Sequence, residues 1–326
     1  MATKTIQASG GDYATPQLWV SYVLALGTLS APEIGEMANE EFNAGSLTIS
    51  GGTVVADATN RIILRAQAGA EPTTPLRYGT GARILFDGNE ELLTVAKNFT
   101  TLENFAIKGS AASHSQFGYV RIDNRTDISR LLIEHNKAGG LDDRGTNSAD
   151  IRDNIMVLRV ADNASSWGIR PSGANLTYKN CTIAALSAAA SSTGMLRAYV
   201  APIYINCVVY GYGTDYNSGF SASSKNCATD KASGSSGIAS VTGAQFEVVS
   251  GDFVSVTNGS HDLSVASGST KLKDLGAASG GTTTDILGNS ISGGTRDIGA
   301  HEYQAAGGSI IINPLGGPLQ MIGYMT

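Results

Sequence analysis

The residues best equipped to do chemistry in this chain are carboxylates. Asp142 and Asp143 stand side by side in Leu141-Asp142-Asp143-Arg144, with Asp123, Asp127, Glu134, Asp150 and Asp153 close by in sequence. Two carboxylates flanking one glycosidic bond can hydrolyse it, one giving a proton while the other acts as base or nucleophile. Carboxylates that hold calcium beside a basic arginine would instead suit a lyase. His135, next to Glu134, is a candidate acid/base partner, but it comes without a nucleophile or a third, orienting residue, so a surface or turn role is expected. Asp142 and Asp143 follow Gly139-Gly140, a sequence that favours a turn. An enzyme reading therefore rests on Asp142, Asp143 and Glu134.

Other chemistries find less material. The three cysteines include no Cys-x-x-Cys pair, and His114, His135, His261 and His301 lie far apart, so neither a metal site nor a cofactor is expected. Phosphate-cradling glycine loops and Gly-x-Ser-x-Gly elbows are missing from the sequence. A formal net charge of -6 and a dispersed set of Lys and Arg argue against a nucleic-acid partner. No apolar run reaches the roughly 18 residues that a membrane span requires, and the opening Met1-Ala2-Thr3-Lys4-Thr5 does not read as a secretory signal.

The cysteines carry a different message. Each follows an asparagine, in Asn180-Cys181, Asn206-Cys207 and Asn226-Cys227, at spacings of 26 and 20 residues. Tyr178-Lys179-Asn180-Cys181-Thr182-Ile183 aligns with Tyr204-Ile205-Asn206-Cys207-Val208-Val209 and with Ser224-Lys225-Asn226-Cys227-Ala228-Thr229, and Leu102-Glu103-Asn104-Phe105-Ala106-Ile107 fits the same frame. A repeat of this length marks a solenoid. Side chains alternate along a strand, so each cysteine and the residue two beyond it face inward, and the thiols are expected to stack as small hydrophobes. The asparagines are expected to form a ladder at a turn. Leu131 to Asn136 and Asp150 to Val157 join the series with a one-residue slip in alternation.

Forty glycines and a charged fraction of 15% disfavour long helices. Short strands are expected at Arg83 to Phe86, Leu92 to Ala96, Tyr119 to Ile122, Gly168 to Arg170, Met195 to Val200 and Phe253 to Val256, in about eight to ten stacked coils. A solenoid must also close its ends. Thr15-Pro16 begins a helix whose apolar face, Leu18, Trp19, Tyr22, Val23 and Leu26, would plug the first coil, with Gly27 as the stop. Ser269 to Tyr303 would close the other end.

The segment Arg296-Asp297-Ile298-Gly299-Ala300-His301-Glu302-Tyr303, with His261-Asp262-Leu263-Ser264 and Gly268-Ser269 before it, resembles the C-terminal end of right-handed parallel β-helix proteins of the pectate-lyase-like superfamily. Gly10-Gly11-Asp12-Tyr13-Ala14-Thr15 with Trp19 resembles their N-terminal cap, and the likeness spans Thr3 to Tyr303. It implies an all-β fold, a right-handed parallel β-helix solenoid with an N-terminal capping helix, and places His301 in packing. Cap and first coils would occupy residues 1–80, the β-helix 81–303 and an extended tail 304–326. Members include lyases, hydrolases, adhesins and structural proteins of bacteriophage particles, so the fold alone does not choose a function. Asp142 and Asp143 resemble one element of a polygalacturonase-type site, whose Asn-x-Asp, Gly-His-Gly and Arg-x-Lys elements are missing here.

The tail is uncharged and apolar, with a β-branched run and two prolines. Such a segment needs a docking surface. Ile310, Ile311, Ile312, Leu315, Leu319, Met321, Ile322 and Tyr324 are expected to bind a partner, Ile310 to Ile312 as an added strand. The expected protein is a structural component of a tailed-phage virion: a capsid decoration, head-fibre or small tail-associated protein made in the host cytoplasm. Its partners would be major capsid or tail proteins and other copies of itself, a trimer being one such assembly. The alternatives are a polysaccharide lyase or hydrolase, and an adhesin that binds host glycan through a row such as Tyr210, Tyr212 and Tyr216.

Overall fold

The computed structural model describes residues 2–86, 93–109, 118–136, 139–145, 147, 149–160, 166–173, 176–195, 201–216, 221–277, 283–291 and 295–304. Within them the chain is almost all β, with one α-helix and three ladders of parallel strands stacked coil on coil like a solenoid. The first ladder runs Ala2–Ile6, Glu33–Met37, Ile62–Ala66, Thr100–Glu103, Thr126–Ser129, Arg152–Asp153, Thr177–Lys179, Ile203–Ile205. Bridges from Ile205 to Lys225 and from Lys225 to Thr242 continue it.

The second ladder stacks Glu41–Ala44, Arg83–Phe86, Ala106–Gly109, Leu132–His135 and Met156–Arg159. The third stacks Leu47–Ile49, Leu93–Val95, Gly118–Ile122, Gly139–Asp143 and Trp167–Pro171. The long strand Thr182–Met195 pairs with the second ladder at one end and the third at the other, and Val208–Tyr216 follows it. Inward side chains form apolar columns: Leu64, Leu102 and Ile128 in the first ladder, Ile107, Ile133, Val157, Ile183 and Val209 in the second. Each short strand has little to bury alone, and stacking gives it two neighbours.

One corner sets the register. Asn104, Arg130, Asn154, Asn180, Asn206 and Asn226 all hold a left-handed backbone, with φ between 51° and 63°. Asparagine tolerates this conformation better than most residues. The expected one-residue slip is absent, because Arg130 and not Asn136 occupies the corner of its coil, so Leu131 aligns with Phe105, Ile155 and the cysteines. Cys181, Cys207 and Cys227 are fully buried free thiols at successive positions of this column. Burial pushes the thiols of Cys207 and Cys227 well above their ordinary range, so they stay protonated and inert.

The asparagine amides do more than face one another. Asn206 Nδ2 donates to Asn180 Oδ1 at 3.0 Å, and Asn180 Nδ2 donates to Asp153 Oδ1 at 2.6 Å. The remaining groups hold the C-terminal segment: Asn154 Nδ2 donates to the Thr284 carbonyl, Asn226 Nδ2 to the Leu275 carbonyl, and Ala277 N donates to Asn206 Oδ1. That segment lies along the flank of the solenoid and does not close its end as expected. The reason is an outward apolar row, Ala106, Leu132, Met156, Val208 and Ala228, which needs cover and receives it from Leu263, Val265, Leu272, Ile286, Ile298 and Ala300. Phe253–Ser255 belongs to this cover, pairing antiparallel with Asp262–Val265 and not adding a coil.

At the opposite end, helix α1 (Pro16–Leu24) has Thr15 as N-cap, its Oγ1 accepting from Leu18 N. Pro16, Trp19, Val20 and Val23 are its buried face, while Leu18 is 52% exposed. The face is thus turned from the expected one, following the i, i+3, i+4, i+7 spacing from Pro16. The helix ends at Leu24 with Ala25 as C-cap, before Gly27.

Candidate functional site

The three candidate carboxylates each occupy a strand. Asp142 and Asp143 close the strand Gly139–Asp143 and are fully buried, so the expected turn is not formed. Alternation sends them to opposite faces. Asp143 continues the inward column of Val95 and Ile122. Across the lumen Arg152 continues the column of Leu102 and Ile128, so one coil carries an ion pair where its predecessor carries two isoleucines. Arg152 Nη2 donates to Asp143 Oδ1 at 3.0 Å, Arg152 Nε donates to Oδ2, and the Tyr178 hydroxyl donates to Oδ2 at 2.8 Å. Gly145 N adds a fourth donor at 3.1 Å. Burial works against the Arg152 charge, but the Asp143 carboxylate outweighs it and raises its pKa. A carboxylate saturated in this way cannot attack or accept a substrate proton.

Asp142 faces outward between two arginines. Arg170, its partner on the next coil, donates to Asp142 Oδ1 at 2.9 Å and Oδ2 at 2.6 Å, and Arg144 Nε donates at 2.8 Å. Burial pushes the carboxyl up, yet the two guanidinium groups overcome it and hold Asp142 below the usual carboxylate range. Arg170 also lies over the Trp167 ring at 4.8 Å. A general acid needs the opposite shift.

Glu134 faces out from Leu132–His135 and is covered from three directions. Lys108 Nζ sits 2.7 Å from Oε1, His261 Nε2 is 3.6 Å from Oε2, and Tyr78 N donates to Oε2 at 3.2 Å. Burial raises its pKa, and His261 and Lys108 together reverse the effect. His135 is fully buried, and the expected surface or turn position does not hold. The structure thus sets Asp142, Asp143 and Glu134 in three separate networks. Arg152, Arg170, Tyr178, Lys108 and His261, the residues that surround them, are not signalled by the sequence near the acids. Arg152 had one visible signal, a charge at an inward position between Ile151 and Asp153.

A second group of acids lies within the C-terminal segment. Glu302 Oε2 accepts from Asp297 N, Asp285 Oδ2 accepts from Glu302 N, and Asp297 accepts from Asp274 N and Tyr303 N. Burial lifts the Glu302 carboxyl to about 7, with Asp297 and Asp285 adding to the rise, and burial raises Asp297 as well. A pKa raised in the folded state gives stability that is complete below the unfolded value and lost as pH climbs through the folded one. The Glu302 contribution should therefore fall between pH 4.5 and about 7. His301, whose Nδ1 accepts from Val265 N, is pushed down by burial and has the opposite sign, losing stability as pH falls below 6.5. Comparing melting temperatures across pH 4.5 to 8 tests this: Glu302→Gln should flatten the loss on the neutral side, and an unchanged profile would show that Glu302 is not its source.

Tyr212 and Tyr216 are buried, so they do not form the exposed aromatic row that an adhesin would use. Tyr178, Tyr204 and Tyr216 instead stack inside the solenoid, with neighbouring centroids 5.7 and 5.6 Å apart. Among the described residues no group of three or more His, Cys, Asp or Glu could hold a metal ion, and no helix is long and apolar enough to cross a membrane. The partner-binding candidates Ile310, Ile311, Ile312, Leu315, Leu319, Met321, Ile322 and Tyr324 lie outside the described residues. Compared with known proteins, the chain matches no family model, no curated protein and no solved structure.

Proposed function

We propose that this chain is a structural protein of a tailed-bacteriophage virion, a capsid decoration, head-fibre or small tail-associated component, anchored by the apolar segment after Tyr303. The observation that carries the reading is the condition of the acids. Asp142, Asp143 and Glu134 are buried and each is neutralised by basic side chains, an arrangement that suits a rigid rod better than a site reached by substrate. The stacked parallel coils fit a right-handed β-helix of the pectate-lyase-like kind, with α1 as its N-terminal plug, and the two end motifs support that assignment by resemblance. Its binding partners would be the major capsid or tail proteins.

The test is to delete residues 305–326 and measure incorporation into particles. Loss of incorporation with an unchanged circular dichroism spectrum is expected, whereas full incorporation would remove the anchor. The polysaccharide-cleaving alternative predicts sugar release from a glycan panel that disappears in Asp142→Ala, a result that would overturn the structural reading.

A further inference from the structure

We infer that the N-terminal mouth of the solenoid receives the C-terminal segment of a second copy of this chain, which adds a strand there. The inference rests on the tail acting as an anchor, as proposed above, and names one surface that it fits.

The mouth is only partly closed. Helix α1 brings Trp19 over the first coil, but beside it a groove of about 310 Å³ remains, lined by Ala2, Leu26 to Ala31 and Glu33. Ala2–Ile6 is the outermost strand of its ladder. Its far part is already shielded: Thr5 N donates to Asp12 Oδ2, and the Thr5 carbonyl accepts from Tyr13 N. The period of two along a strand turns the backbone groups of Thr3 to the same open side, where Thr3 is exposed. An unpaired edge of this sort is a template for strand addition.

Two further features specify what would fit. Glu33 Oε2 is buried without a hydrogen-bond partner, and burial raises the Glu33 carboxyl, so the groove offers an acceptor in want of a donor. Apart from Glu33 the residues that line the groove are uncharged, and α1 before it carries no acidic or basic residue. The segment from Ala305 to Thr326 has 22 residues and no charged side chain, and Ile310-Ile311-Ile312 can offer backbone N–H groups flanked by β-branched side chains. A donor strand from one molecule and an open edge on the next make a head-to-tail contact.

Sedimentation equilibrium of the full chain tests this with two surface variants of the groove, Ser30→Arg and Thr28→Arg, and one of the tail, Ile311→Asp. Wild type is expected to self-associate, and each variant to weaken association by about 30-fold or more, the arginines by filling the groove and the aspartate by an uncompensated charge. Mixing Ser30→Arg with Ile311→Asp should restore a single competent contact and give 1:1 dimers that stop there. If Ile311→Asp abolishes association while both groove variants associate normally, the groove inference falls and the anchor stands. If all three behave as wild type, the second-copy inference falls, while the anchor onto other virion proteins is judged by the deletion described above. A monomeric wild type whose tail becomes protease-sensitive only in Ser30→Arg would mean that the tail fills its own mouth, which also overturns the second-copy inference.

Discussion

Replacing Asp143 with alanine should cost about 3–5 kcal/mol of stability, because it leaves the Arg152 guanidinium charged and fully buried without the carboxylate that pairs with it. Both side chains are fully buried, and the donors converging on Asp143 are Arg152, the Tyr178 hydroxyl and Gly145 N. Arg152→Ala should cost a similar amount by stranding the carboxylate. The informative variant replaces the whole group. Asp143→Leu with Arg152→Met and Tyr178→Phe restores the apolar character that Ile122 and Ile128 give the preceding coil. It should be neutral or more stable than wild type by about 1–4 kcal/mol, since desolvating two charges cancels most of their attraction. Urea titrations of the single, double and triple variants would give the coupling energy. Additive single losses would mean that the pair contributes no more than two unrelated polar residues.

If the apolar replacement is neutral, the ion pair serves register and not stability. A one-residue slip of either strand would turn Asp143 or Arg152 outward and leave the other alone in the core. Among columns of interchangeable Ile, Leu and Val, a charged rung of this kind favours one alignment of the stack, much as a polar residue fixes register in a coiled coil.

Distance along the chain separates what could be read in the sequence from what could not. The Asn-Cys repeat exposed the coils and the inward thiols because alternation and a recurring left-handed corner are local properties, written in adjacent residues. The corner was misplaced at Arg130, since backbone strain can be borne by a residue whose type does not advertise it. The C-terminal segment was read as an end cover because its partners are distant in sequence. Asn154, Asn206 and Asn226 hold it along the flank, and the outward row from Ala106 to Ala228 becomes a row only after the coils are stacked. The partners of the candidate acids are hidden for a related reason. Asp142 meets Arg170 one coil later, and Glu134 meets Lys108 one coil earlier and His261 from the C-terminal hairpin. Pairing across coils has no sequence signature, so a cluster of Asp and Glu gives no hint of the basic partners it meets.

Truncating Trp19 should have an effect as large as breaking the ion pair, with a different distribution along the rod. Trp19 is fully buried, and the close fit of its indole on Gly35 is shown by the place a methyl group there would take, 2.6 Å from two ring atoms. Trp19→Ala leaves a cavity at the end of the core and should cost about 3–5 kcal/mol. Trp19→Phe should cost much less, about 1 kcal/mol, since the buried indole Nε1 has no hydrogen-bond partner to lose. Because each coil touches only its neighbours, the damage should stay near the end it strikes. Hydrogen exchange in Trp19→Ala should accelerate in Ala2–Ile6 and Glu33–Met37, while the coils beyond Thr100 keep their protection. In Asp143→Ala the loss should centre on Gly139–Asp143 and Arg152–Asp153 and spread both ways. Uniform loss of protection from either site would mean that the solenoid unfolds as one cooperative unit, and that α1 secures the entire stack and not merely its first coils.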